Sequence, residues 1–571
     1  GSHCSSREAD KLTQLGGDMS SKFTGADLVA DALAQLEVDY VFAIVSIHNM
    51  PILDAINRLG KTKIVDVRHE QAGTHAADGY ARASGKLGVM IASTGPGTSN
   101  TVTGLYEAQY GSSKVLVITG QAETAFYGRG LSYVHEAENQ VPMLASVCRR
   151  VESPRHIEQL GNAFNAVVND MYTGRGAPGA LEIPIDIQYA ETVPTQVVLP
   201  EAELFQPDAE ALDRVIEKLT SARKRIIVAG GGVIAAGAHK ELQALAERLD
   251  LPVLTTVDGR GVIPETHPLC IGNYYNSAGM YNALVDADLT LAIGTKFAVG
   301  VGGQFAAQTP PGELVHIDID GNMIGRTHTA QLGLIADARQ ALAGINAGLQ
   351  DPSPNDGQFN DGIWHARDGV RAAMRARLGD DWPQVMDCIR DKLPTDSVFV
   401  RDQTISAYNW GNQLFPILEP RTSINPTSGA IGPGFPMSVG AAIASQRKTL
   451  VIHGDGGFMF HATELATCAQ YQVPLIICVF NDSGYGVLRW LQQNQFGRIN
   501  ETDLGKVAFV QMAQSMGVPG QRVASVDQFA AAMDTAMAAE GPYLIDVDME
   551  HFAPMEISVM PKRSLEVDVK A

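Results

Sequence analysis

Short apolar runs alternate with longer stretches of helical character along most of the chain. In the first third the runs at 38–45, 63–67, 88–93, 115–119 and 181–185 are short and dominated by apolar residues. Each is too short for a buried helix, and the segments between them are long enough for crossover helices. Strands that are apolar on both faces and joined by helices predict a parallel sheet covered on both sides. The alternation returns in a second block, where Arg225-Ile-Ile-Val-Ala, Leu289-Thr-Leu-Ala-Ile and Glu313-Leu-Val-His-Ile-Asp read as strands. It returns again in a third, where Val451-Ile452 end a strand, 462–470 has helical spacing and 474–480 is a buried strand.

Breaks in the pattern divide the chain. A Pro- and Val-rich stretch, 191–208, closes the first block, and a polar segment with Pro, Asn and Asp, 351–363, closes the second. The expectation is an α/β protein of three doubly wound parallel-sheet domains, 23–190, 209–350 and 364–550. A stretch 1–22 without apolar periodicity precedes them, opening on Gly-Ser-His like a tag remnant, and a tail 551–571 follows as a candidate active-site lid. A length of 571 residues suits about three cores.

Charge and cysteine usage narrow the function classes. With 43 basic and 63 acidic side chains the net charge is −20, which argues against a nucleic-acid partner and requires anionic ligands to be held by local groups. The six cysteines (Cys4, Cys148, Cys270, Cys388, Cys468, Cys478) show no CxxC or zinc spacing and several sit in apolar runs. They read as reduced residues of a cytoplasmic protein. No secretory or membrane segment is expected.

The chemistry concentrates where the third block turns. Gly454-Asp455-Gly456-Gly457 follows one strand, and Asp482 follows the next, twenty-seven positions on. Both carboxylates then stand at the carboxyl edge of a parallel sheet, where they can converge on one hard cation, and Gly456 and Gly457 offer backbone N–H groups to phosphates. Mg²⁺ with a diphosphate fits, because that ion takes few protein ligands and completes its shell with water and phosphate oxygens.

The spacing Gly-Asp-Gly, then Asn481-Asp482 before Gly484, resembles the cofactor motif of the thiamine-diphosphate superfamily that includes acetolactate synthases, 2-oxo acid decarboxylases, benzaldehyde lyases and 2-hydroxyacyl-CoA lyases. Arg68-His69-Glu70 and Ser93-Thr-Gly-Pro-Gly-Thr-Ser-Asn100 resemble the family's activating segment and glycine-proline loop, in the same domain order. The resemblance therefore covers nearly the whole chain and implies pyrimidine-binding, central and diphosphate-binding domains. It implies Asp455, Asp482 and the Gly484 carbonyl as Mg²⁺ ligands, with Asp482 standing where the family often has Asn, and Tyr485 beside them at the cofactor. It also implies that Glu70 shares a proton with the pyrimidine N1′, that the Gly429 carbonyl accepts from the 4′-amino group, and that Ile431 supports the bent cofactor from below. In the family the carboxylate and the diphosphate site come from different subunits, which implies a homodimer or homotetramer. FAD or ADP in the central domain is also implied as an option, and Gly230-Gly-Gly232 after a strand is its one sequence signal.

Candidate substrate-facing residues are His48, in a loop after the first strand, with Gln121, His135 and Glu136. His135-Glu-Ala-Glu-Asn-Gln140 falls where acetolactate synthases show a Phe-Gln-Glu segment, and the Phe-Gln pair is missing, so the pocket departs from theirs. The expected function is cleavage or formation of a C–C bond next to a carbonyl, by 2-oxo acid decarboxylation and carboligation. The alternatives are thioester cleavage of a 2-hydroxyacyl-CoA or oxalyl-CoA kind and, in another class, a non-catalytic cofactor-binding paralogue.

Overall fold

The computed structural model describes residues 22–200, 205–275, 277–298, 309–350 and 352–557, so Cys4 and the tail beyond 557 lie outside it. Three six-stranded, all-parallel sheets follow one another along the chain. The first contains β1 (Tyr40–Ala43), β2 (Lys63–Asp66), β3 (Gly88–Ala92), β4 (Val115–Gln121), β5 (Arg150–Glu152) and β6 (Gly179–Pro184), in the order β2-β1-β3-β4-β6-β5. The second contains β7 (Arg225–Ala229), β8 (Val253–Thr255), β9 (Cys270–Gly272), β10 (Leu289–Ile293), β11 (Glu313–Asp318) and β12 (Leu332–Ile335), in the order β12-β11-β10-β7-β8-β9. The third contains β13 (Phe399–Arg401), β14 (Ser423–Ile424), β15 (Thr449–Gly454), β16 (Leu475–Asn481), β17 (Gly520–Val523) and β18 (Tyr543–Asp548), in the order β14-β13-β15-β16-β18-β17.

Each order reverses direction near its centre or edge, at β1, β7 and β13, leaving a crevice at the carboxyl ends of the strands where open α/β sheets receive ligands. Helices cover both faces, which is why β3, β4 and β16 are buried at every residue. Four helices matter for the site: α1 (Glu70–Ser84), α2 (Pro96–Gly111), α3 (Gly357–Arg377) and α4 (Gly434–Ser445).

Two boundaries differ from the sequence reading. Residues 357–362, expected as linker, form the first turns of α3, because Asp356 accepts from Phe359 N at 2.8 Å and Phe359 and Ile363 pack into the second core with Ile226, Ile271 and Leu314. Between them Asp361 and Gly362 are exposed, while Asn360 is buried and donates to Asp250 O at 2.8 Å, so the polar composition there does not mark a break. Helical spacing over 462–470 starts later, at Glu464, because the chain first makes a separate short helix Asp455–Phe458.

The first and third domains share a core through α1 and α4, which cross without side chains between them. A Cβ on Gly79 would stand 1.9 Å from the Met437 carbonyl oxygen, and one on Gly440 would stand 1.8 Å from that of Ala76. Glycine at both positions lets the two backbones touch.

Candidate active site

The register of β15 and β16 brings the acidic pair together. Gly454 pairs with Phe480 and the strands end side by side, so Asp455 and Asp482 leave the sheet at the same level. Asp455 is 5% exposed, and its Oδ1 is buried with no partner. Burial and the neighbouring carboxylate of Asp482 push its pKa up to about 7. Burial raises Asp482 too, against the pull of Arg489, whose guanidinium lies 3.5 Å away. A buried and a half-buried carboxyl crowded together, with an oxygen to spare, form the donor set a hard divalent cation neutralises. Gly484 is fixed beside them by its bridge to Asp503, and Tyr485 N donates to Thr502 O at 2.9 Å. The Tyr485 ring closes over Gly456, where a Cβ would meet it at 2.6 Å. Gly456 and Gly457 are buried in the short helix after Asp455.

Glu70 is the first residue of α1, at the carboxyl edge of the first sheet, and is half-buried. Asn100 Nδ2 donates to its Oε2 at 2.9 Å, which fixes the carboxylate against the glycine-proline loop. The other side of that loop meets the substrate-facing candidates. A Cβ on Gly95 would stand 2.3 Å from His135 O, and Ser93 Oγ lies 3.4 Å from His135 Nδ1. The His135 ring is 5.4 Å from that of His48, which is fully buried with neither ring nitrogen bonded, and burial with His135 nearby lowers the His48 pKa. His48, Gln121 and His135 thus come together on one edge with Glu70.

Glu136 is employed differently. Its Oε1 accepts from Gly128 N at 2.7 Å and so braces the loop that carries His135. Gln121 donates to the fully buried Glu182 at 3.0 Å, as does Gln140 at 2.8 Å. Glu182 and Gln140 were not read from the sequence, since a carboxylate inside an apolar strand carries no local signal of its partners.

Gly429 (φ +83°) and Ile431 lie in the loop between β14 and α4. Arg82 holds the start of this loop, donating to Asn425 O at 2.9 Å and Thr427 Oγ1 at 2.8 Å. Glu70 and Arg82 are twelve residues apart on α1, about 18 Å of helix. Within one chain Glu70 and the start of this loop are therefore held at opposite ends of the same helix.

A cavity of about 670 Å³ opens between the domains, with Lys114, Arg175, Thr255, Lys296, Asp318 and Arg421 on its walls. Burial pushes Lys114 down to about 8, helped by Arg421, and Arg175 forks onto Asp318 at 2.9 and 3.0 Å. The glycine triplet after β7 has a packing reason: Cβ atoms on Gly230 and Gly232 would strike the backbone of Gly294 at 2.3 and 2.6 Å. It is not in itself a nucleotide signal. Among the described residues no helix is long and apolar enough to cross a membrane.

Comparison with known proteins agrees with this architecture. The chain matches the thiamine pyrophosphate enzyme N-terminal TPP binding domain over residues 23–143, the central domain over 212–345 and the C-terminal TPP binding domain over 405–547. It is 30% identical over 548 residues to a probable acetolactate synthase large subunit of Methanocaldococcus jannaschii, spanning 92% of this chain and 91% of that protein. It is 33% identical over 473 residues to a probable 2-ketoarginine decarboxylase of Pseudomonas aeruginosa, spanning 82% and 83%. With the acetolactate synthase large subunit of Corynebacterium glutamicum it shares 29% over 549 residues, 92% of this chain and 86% of that one. Three domains matched in order, on three sheets whose edges carry the acidic pair and Glu70, make this chain a member of the thiamine pyrophosphate enzyme family and a thiamine-diphosphate-dependent enzyme of lyase or transferase type.

Proposed function

We propose that the chain decarboxylates a 2-oxo acid and joins or releases the resulting acyl unit, with Mg²⁺ and thiamine diphosphate held at Asp455 and Asp482. The observation that carries this reading is the acidic pair with the buried, unpartnered Asp455 oxygen, in a chain whose relatives are named for acetolactate synthesis and 2-ketoarginine decarboxylation. Asp455, Asp482 and the Gly484 carbonyl would hold the metal, with Gly454, Gly456, Gly457 and Tyr485 against the diphosphate. Bound thiamine diphosphate supplies a carbon acid at C2 and an electron sink for the carbanion left by decarboxylation. Glu70, fixed by Asn100, would hold a proton at N1′, and the Gly429 carbonyl would orient the 4′-amino group. Ile431 would fill the space beneath.

The distance along α1 between Glu70 and the Arg82-held loop supports a site built from two copies, so the smallest active unit is proposed to be a homodimer. His48, Gln121 and His135 would face the substrate, while Glu136 supports their loop. Glu123 and Asp186 lie close enough to raise the Tyr133 pKa, after burial as the larger cause, which gives that pocket an acidic rim. Such a rim suits a 2-oxo acid with a cationic side chain better than pyruvate. The inter-domain cavity, with Lys114, Lys296 and Arg421, is proposed to take FAD or ADP. The five described cysteines are free, which suits a reducing cytoplasm.

Turnover of pyruvate, straight-chain 2-oxo acids and a guanidino 2-oxo acid, followed by CO₂ release with Mg²⁺ and thiamine diphosphate present, tests the substrate. Faster release from the cationic substrate is the expected result. Turnover confined to 2-hydroxyacyl-CoA thioesters would replace this reading with the lyase.

A further inference from the structure

The loop 425–434 is gripped at both ends by buried carboxylates from different domains. At its start, Glu107 of α2, 1% exposed, accepts from Thr427 N at 2.6 Å, from Ser428 N at 3.1 Å and from the Ser428 hydroxyl. Arg82 stands between Glu107 and Asp78, at 2.9 and 2.8 Å, while it donates to Asn425 and Thr427. At the other end, Asp402, 1% exposed at the end of β13, accepts from Gly432 N at 3.1 and 2.9 Å and from Gly434 N at 2.9 Å. The neighbouring Gln403 donates to Pro426 O at 2.8 Å. Between these grips, Gly429 is exposed, and nothing lies within 4 Å of the place a Cβ would take there.

Backbone N–H groups given to buried carboxylates make strong, directional bonds, and a carboxylate is expensive to bury unless such bonds are made. Burial works against the charged form of Glu107, yet Arg82 and the bonds from Ser428 and Thr427 hold its pKa below the ordinary value. With Gly429 and Gly432 both at positive φ, the unsupported segment could take many paths. Fixing both ends removes most of them.

We propose that Glu107 with Arg82, and Asp402, are positioning residues that clamp the two ends of this loop and set where the Gly429 carbonyl and the Ile431 side chain stand against the cofactor. The inference rests on the role proposed above for those two residues. Neither carboxylate needs to touch the cofactor for the clamp to act. Both set the path of the three residues between them.

The test uses the full-length protein with Mg²⁺ and thiamine diphosphate, measuring C2 proton exchange in deuterated buffer per bound cofactor and cofactor affinity by calorimetry. Glu107→Gln and Asp402→Asn should slow exchange about 10- to 100-fold, the scale of an ångström-sized misplacement, while affinity changes less than about threefold. Ser428→Ala removes one bond and leaves the Glu107–Arg82 pair intact, so it keeps the variant folded and should slow exchange about three- to tenfold. Ser428→Thr, which keeps the hydroxyl, should restore it. Wild-type exchange per bound cofactor in Ser428→Ala and Asp402→Asn, with only the melting temperature lowered, overturns the clamp. Wild-type protein that neither binds the cofactor nor exchanges C2 overturns the proposed function and the clamp with it.

Discussion

At the scale of single residues, two carboxylates have separable duties. Asp455 sits in the tightest part of the acidic pair, with one oxygen free for a cation. Asp455→Ala should abolish retention of thiamine diphosphate, and calorimetry showing undiminished binding would remove the metal assignment. Glu70 is held by one hydrogen bond and is far along α1 from the chain's own Arg82. Glu70→Gln should keep most bound cofactor while C2 exchange and turnover slow by roughly 10²- to 10⁴-fold, the range of a lost acid-base group. A carboxylate that only served the helix start would instead cost roughly 0.3 to 1 kcal/mol of stability and leave exchange unchanged. NMR in deuterated buffer separates the two outcomes.

At the scale of elements, the crossing of α1 on α4 decides how the first and third domains meet. Gly79→Ala would drive a methyl into the backbone of Met437, and neither helix can bend away without opening the shared core. A loss of about 1–3 kcal/mol is expected in chemical denaturation, as for other overpacked cores. Gly362 in α3 offers the opposite case, since it is exposed and a Cβ there meets nothing within 4 Å. Gly362→Ala should stabilise the chain by about 0.4–1 kcal/mol, because it restricts the unfolded chain and adds helix propensity. The pair of substitutions separates helix propensity from close approach.

At the scale of the molecule, the packing of the third domain on α1 buries two histidines whose ring nitrogens have no hydrogen-bond partner. His75 and His461 stack edge-to-face at 5.6 Å, and neither ring has a hydrogen-bonded nitrogen. Burial pushes His75 down to about 4 and His461 down to about 3 from an ordinary value of 6.5. Unfolding lets each ring take a proton below pH 6.5, which the folded chain resists, so the stability they contribute is full above pH 6.5 and falls as pH drops toward 3. The loss should be on the order of a few kcal/mol for each ring, and the pH dependence of the denaturation midpoint should flatten in His75→Leu. The proposed two-copy site makes its own prediction. Glu70→Gln and Asp455→Ala proteins, each inactive alone, should regain activity when unfolded and refolded together, to about a quarter of wild type, because half of the dimers are mixed and each mixed dimer holds one intact site. No recovery would mean that each site is built within one chain.

The sequence alone was enough for the class of fold and for the cofactor motifs, since both are local. Runs apolar on both faces forecast buried parallel strands, and a carboxylate just past such a run, at Asp455, Asp482 or Glu70, lies on a sheet edge wherever the sheet is packed. Strands of three residues, such as β5, β8 and β9, were missed because they are too short for a period to show. The polar start of α3 was misread because its two core residues, Phe359 and Ile363, gain meaning only against the second sheet. Tertiary structure decided everything that depends on partners far apart in sequence. Glu107 and Ser428 are 321 positions apart and His75 and His461 are 386, so no spacing rule could join them. It also decided that Glu136 braces a loop and that the Gly230 triplet answers a close backbone approach. Sequence pattern records what each segment buries, whereas the identity of the group it is buried against is fixed only when the three domains pack.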